Sequence, residues 1–156
     1  MHNMRKVNII FGTVYGNAQF VAETLRDDIQ AQGREVKLLQ SDELTDYIPP
    51  QDEILLVVCS TTGQGDVPDD ILPWFEMLKS QAPYLPNLKY GVIGLGDSSY
   101  DTFCGASLKF DELLTELGAC RVGELLKIDA CETMEPEVTA KKWLQIWNKQ
   151  IDTQTP

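Results

Sequence analysis

The run Glu53-Ile54-Leu55-Leu56-Val57-Val58-Cys59 is the feature that most narrows what this chain can fold into. It is apolar almost throughout and rich in β-branched residues, without the alternation of a strand that shows one face to water. Such a segment is at home as a central parallel strand with helices on both faces. Other segments take the same part. Lys6 to Phe11 is a short apolar run ending at Gly12, Glu35 to Leu39 alternates like a half-covered strand, and Leu88 to Leu95 and Arg121 to Ile128 complete five strands.

Between them lie helical periodicities. Ala18, Val21, Ala22, Leu25 and Ile29 share one face, with Gly33 as the stop. Pro68-Asp69-Asp70 suits a helix start ahead of Ile71, Phe75 and Leu78, provided that Pro73 falls in the first turn. Trp74 and Phe75 fit the core at that spacing. Ser107 to Leu117 reads as a helix ended by Gly118. A last helix runs from about Pro136 to Gln150 and buries Val138, Trp143, Ile146 and Trp147. Strands alternating with helices predict right-handed crossovers and a doubly wound α/β sheet. Residues 1–156 then form one domain, with its core at about 6–150 and a polar tail at 152–156.

The balance of 13 basic against 24 acidic residues, a net charge of −11, argues against nucleic acid as a partner. It suits a basic protein partner, and it equally serves solubility. Of the four cysteines none forms a C-x-x-C pair, and two lie in or beside apolar runs, which fits a reducing, cytoplasmic setting. Only five mostly apolar residues separate Lys6 from Gly12, too few for a signal-peptide core or a membrane span. His2, the single histidine, stands at the terminus, which disfavours a Ser-His-Asp triad or a histidine metal site.

In doubly wound sheets ligands sit beyond the carboxyl ends of the strands, where crossovers depart in opposite directions. Three loops there are rich in glycine and hydroxyl groups: Gly12-Thr13-Val14-Tyr15-Gly16-Asn17-Ala18, Ser60-Thr61-Thr62-Gly63-Gln64-Gly65-Asp66, and Gly94-Leu95-Gly96-Asp97-Ser98-Ser99-Tyr100-Asp101-Thr102-Phe103-Cys104. The first opens directly into a helix, so free amides and the positive end of the helix dipole converge where a phosphate could sit. An ordinary glycine turn with Asn17 as helix cap is the other reading. The spacing matches neither Walker A nor G-x-G-x-x-G.

Together, G-T-V-Y-G-N-A, S-T-T-G-Q-G-D-V-P and G-L-G-D-S-S-Y-D-T-F-C resemble the three flavin mononucleotide (FMN) loops of the flavodoxin family. The chain is similar to short-chain flavodoxins and to the FMN domains of diflavin reductases, the sulfite reductase flavoprotein among them. The resemblance extends from about Lys6 to Trp147. It implies a five-stranded parallel sheet of order 2-1-3-4-5 with FMN at the switch point, a placement taken from the family and not from the residues. It further implies that Thr13, Val14, Tyr15, Gly16, Asn17 and Ala18 hold the phosphate. Ser60, Thr61, Thr62 and Gly63 would flank one side of the flavin, and Leu95, Gly96, Asp97, Ser98, Ser99, Tyr100, Asp101, Thr102, Phe103 and Cys104 would wrap the other. Tyr100 would stack on the ring. Gly63 would belong to a peptide that turns over on reduction, although it also reads as a plain tight turn. Tyr15 stands where many relatives carry a threonine, and Thr62 where many carry an aromatic residue.

The implied function is single-electron transfer through FMN, with no catalytic residue and no metal, between an NADPH-dependent flavodoxin/ferredoxin reductase type of donor and an unidentified acceptor protein. Asp66, Asp69, Asp70, Asp97 and Asp101 form a candidate acidic rim, with helix-start capping an equal account of Asp69 and Asp70. The expected carrier is monomeric and touches neither membrane nor nucleic acid. A small NAD(P)H quinone reductase of the same fold, or a flavin-free interaction domain, are the alternatives. Replacing Tyr100 by alanine is expected to weaken FMN binding by about 1 kcal/mol or more, from lost ring stacking and apolar burial. Titration followed by flavin fluorescence checks it, and an unchanged Kd would make Tyr100 an ordinary surface residue.

Overall fold

The apolar runs become strands buried on both sides, as their composition requires. In a computed structural model, which describes residues 5–13, 16–61, 66–96 and 104–153, β1 (Val7–Gly12), β2 (Val36–Leu39), β3 (Ile54–Ser60) and β4 (Lys89–Gly96) are parallel. The sheet order is β2-β1-β3-β4-β5, with β5 at Cys120–Arg121 and β6 at Leu126–Asp129, both paired to β4. The helices are α1 (Asn17–Ala31), α2 (Leu72–Gln81), α3 (Gly105–Glu116) and α4 (Pro136–Thr153).

Side chains along each central strand part to the two faces with a period of two. Val7, Ile9 and Phe11 of β1 join Ile54, Leu56 and Val58 of β3 in a core covered by α1 and α4. Ile10, Leu55, Val57 and Tyr90 face the opposite way, toward Trp74, Phe75, Leu78 and Phe110 of α2 and α3. Trp74 and Phe75 are thus core residues. The indole of Trp74 stacks on Phe110 with centroids 5.7 Å apart and donates to the Tyr47 carbonyl at 2.9 Å. Pro73 does fall in the first turn of α2, where its missing N–H costs no helical bond.

Three expectations need correction. The helix around Phe75 starts at Leu72, with a turn over Pro68–Ile71 ahead of it, and its N-cap is Ile71, so neither Asp69 nor Asp70 stands at the cap. Val138 and Ile146 are exposed, at 41% and 62%, whereas Ala140, Trp143, Leu144, Trp147 and Ile151 form the inward stripe of α4. The buried set follows i, i+3, i+4, i+7, and 138 and 146 fall off that line.

The third correction concerns the last strand, which is broken. β5 pairs with Lys89 and Tyr90 at the start of β4, and β6 pairs with Ile93 to Gly96 at its end. The chain between them takes a positive φ of 75° at Gly123. Carbonyls freed by the break are met from α4: Trp147 Nε1 donates to Val122 O at 3.1 Å and Trp143 Nε1 donates to Glu124 O at 3.0 Å. The two indoles stack, centroids 5.3 Å apart. Trp147→Phe is expected to lower stability by about 1–3 kcal/mol, because the Val122 carbonyl loses its buried partner. Urea unfolding checks this, and a variant as stable as the parent would reduce the indole to space filling.

Candidate functional site

Parallel register decides which loops meet. Gly12 pairs with Cys59, Ser60 with Leu95 and Gly96 with Asp129, so β1, β3 and β4 end level with one another at one edge. At β1 the chain crosses outward to β2 and later returns to β3 on the other side, which opens the crevice at that edge. Thr13, Gly16, Asn17, Ala18, Ser60, Thr61, Leu95, Gly96 and Cys104 are all placed there. Val14, Tyr15, Thr62, Gly63 and Asp97, Ser98, Ser99, Tyr100, Asp101, Thr102 and Phe103 lie outside the described residues.

The first loop is shaped by three contacts. Thr13 N–H donates to Asp70 Oδ2 at 3.1 Å, Gly16 N–H donates to Thr13 Oγ1 at 2.7 Å, and Phe20 N–H donates to the Gly16 carbonyl at 3.0 Å as the first helical bond of α1. The N-cap is therefore Gly16 and not Asn17. It has φ of 91° and no side chain caps the helix. The amides of Asn17, Ala18 and Gln19 are left without helical acceptors. A β-carbon built on Gly16 would meet nothing within 4 Å. Amides without helical acceptors at the positive end of a 15-residue helix, beside the space at Gly16, fit an anionic group such as a phosphate.

The second and third loops are laced together where they leave the sheet. Thr61 N–H donates to the Leu95 carbonyl at 3.1 Å, and Thr61 Oγ1 accepts from Ala106 N–H in the first turn of α3 at 3.3 Å. Cys104, the N-cap of α3, is held in the left-handed region at φ 54°, and its carbonyl accepts from Ser107 Oγ at 2.7 Å. Leu95 and Cys104 turn their side chains into the protein, so what they offer this edge is backbone. Burial pushes the Cys104 thiol up to about 11, with Asp129 adding to the rise and Lys127 opposing it, so the thiol stays protonated near neutral pH.

Two acidic residues gain roles that the sequence reading missed. Asp129, at the end of β6, is 8% exposed, and its Oδ1 accepts from Cys131 N–H at 2.9 Å, while Ala130 N–H donates to the Gly96 carbonyl at 2.8 Å. It brings a fourth loop to the edge. An aspartate ending an apolar strand ahead of Ala-Cys-Glu-Thr is a turn signal that could have marked it. Asp70 sits under the first loop, where burial raises its pKa against the pull of nearby amides. Among the described residues no group of His, Cys, Asp or Glu could hold a metal ion.

The sequence model of the flavodoxin family matches residues 9–143. This chain belongs to the flavodoxin family. It is 49% identical over 144 residues to flavodoxin YqcA of Escherichia coli, covering 92% of this chain and 97% of that one. It is 41% identical over 139 residues to the sulfite reductase [NADPH] flavoprotein alpha-component of Vibrio cholerae, covering 88% of this chain and 22% of that longer protein. The solved structure of a cysteine-to-serine mutant of flavodoxin from Pseudomonas aeruginosa superposes with a TM-score of 0.83 at 42% identity, covering 93% of this chain and 97% of that one. Flavodoxins transfer electrons on FMN, so the cofactor expected from the three loops is the family's own, and the sheet order agrees as well.

Gly16→Val is expected to lower FMN affinity at least about tenfold, because branched carbons enter the open space and a left-handed backbone penalises them. A β-carbon at Gly16 meets nothing within 4 Å, and a far-UV circular dichroism spectrum like the parent's shows that the variant folds despite the positive φ. A flavin titration reads the effect, and parental affinity would remove this loop from the site.

Proposed function

We propose that this flavodoxin is a single-electron carrier, loaded by an NADPH-dependent flavodoxin/ferredoxin reductase type of donor and discharged by an acceptor protein in the cytoplasm. The observation that carries the reading is the helix α1 N-terminus, whose first amides have no helical acceptors and which opens beside the uncrowded Gly16 at the edge where β1, β3 and β4 all end. There the phosphate would rest on Thr13 to Ala18. The flavin would lie between the second and third loops. The whole chain acts as one domain around its core at about 6–150.

FMN supplies reversible one-electron chemistry when bound, and the protein's task is to hold it, orient it and set its electrostatic surroundings. Binding falls to the amides of the first loop. Orientation falls to the second and third loops, kept in mutual register by the Thr61 bonds to Leu95 and Ala106. Steering of a basic partner falls to the acidic surface. Asp66 and Asp69 border a groove between α2 and α3 that also carries Glu76, Glu112 and Glu116. Lys109 pairs with Asp66 at 3.4 Å, both side chains being largely exposed, so the pair adds little stability and leaves the net field acidic. Among the described residues no helix is long and apolar enough to cross a membrane.

The purified chain should be yellow, release FMN on denaturation, and take up electrons in two separate steps from a reductase, without oxidising NAD(P)H by itself. Steady NAD(P)H oxidation by the chain alone would overturn the carrier reading in favour of an enzyme. Transfer from the reductase is expected to slow as salt rises, because steering is screened beyond about 10 Å at 0.1 M. Asp66→Asn with Asp101→Asn should flatten that dependence, each change removing one negative charge whether or not the aspartate had a partner. Rates indifferent to salt and to both substitutions would leave the acidity to solubility alone.

A further inference from the structure

We propose that Asp70 is a positioning residue for the cofactor's phosphate: from the turn ahead of α2, it draws the Thr13 amide beneath the first loop and leaves the Thr13 hydroxyl and the α1 amides to meet the anion. This rests on the reading that the first loop holds the phosphate. It assigns to one distant carboxylate the shape of that loop.

The bonds form a short relay. Asp70 Oδ2 accepts from Thr13 N–H at 3.1 Å, and Thr13 Oγ1 accepts in turn from Gly16 N–H at 2.7 Å. A hydroxyl that already accepts one bond keeps its own hydrogen for another acceptor. Thr13 therefore meets the phosphate as a donor through its side chain, its backbone amide being engaged by Asp70. Gly16 is fixed by the same relay as the cap of α1, which sets where the amides of Asn17, Ala18 and Gln19 emerge.

The carboxylate has little room to do otherwise. Its turn is closed by the Pro68 carbonyl, which accepts from both Ile71 N–H at 3.1 Å and Leu72 N–H at 2.9 Å. That turn is pressed against the end of β1, since a β-carbon on Gly12 would collide with the Ile71 side chain and lie 3.4 Å from Pro68. Asp70 caps no helix, and its other oxygen, Oδ1, is buried without a hydrogen-bond partner. A desolvated oxygen is a cost that a purely structural position would shed by becoming apolar. Amides of its own turn, at Asp70 and Ile71, also act on the carboxyl, but Thr13 is the contact that ties it to the first loop.

The test titrates the deflavinated full chain with FMN and with riboflavin, which shares the ring and lacks the phosphate. Asp70→Ala should raise the Kd for FMN about tenfold or more, the range of a lost bond to a charged group, and leave riboflavin within about threefold of the parent. Asp70→Asn keeps an oxygen that can accept from Thr13 and should hold the FMN-to-riboflavin preference at or above the parent's, one negative charge having been removed from the phosphate's surroundings. Equal losses for both ligands, or no loss, in Asp70→Ala would overturn the proposal. Should the alanine variant fail to fold, Asp70→Asn decides: a retained preference supports the assignment, and about a tenfold fall overturns it. A parent protein with no preference for FMN over riboflavin would instead bring down the phosphate reading of the loop, and the proposal with it.

Discussion

Everything at the candidate site depends on three parallel strands ending in phase. Because Gly12 pairs with Cys59 and Ser60 with Leu95 across β1, β3 and β4, their loops begin side by side, and a slip of one residue would turn every core side chain to the wrong face. The two apolar layers hold that register. Val7, Ile9 and Phe11 on one side and Ile10 on the other cannot exchange faces without taking Asn8, itself buried, away from the bond its Nδ2 donates to Glu53.

The same layers account for what was legible in the sequence. Ile54 to Cys59 is apolar on both faces and could only be central, and Pro73 could only sit in a first turn. The helix α1 stripe from Ala18 to Ile29 is buried as its spacing predicts. Local chemistry also marked the first loop, which opens directly into the α1 periodicity and so ends at a free helix terminus, though the cap is Gly16 and not Asn17. The family resemblance then supplied the cofactor, which periodicity could not.

What escaped was non-local. Asp70 and Thr13 are 57 positions apart, so their bond has no local signature, and Asp70 beside Pro68 reads naturally as a helix cap. The break in the last strand escaped for a different reason. Arg121 to Ile128 keeps enough apolar residues to pass for one strand, and the groups that make a break tolerable are indoles on α4, at 143 and 147. In α4 the apolar Val138 and Ile146 drew attention because of their type, while small Ala140 lines the core.

The broken strand has a meaning for how the molecule behaves in a crowded solution. An open sheet ends in a row of unpaired peptide groups, and a long straight border of that kind invites another chain to add itself on. Here the border consists of two residues in β5, a kink at Gly123 and four residues in β6, and its Val122 and Glu124 carbonyls are already taken by tryptophans of the same chain. A foreign strand laid along it would find neither a continuous ladder nor free acceptors at the kink. The discontinuity thus leaves that border of the sheet short and kinked, closed by the same helix that covers the core.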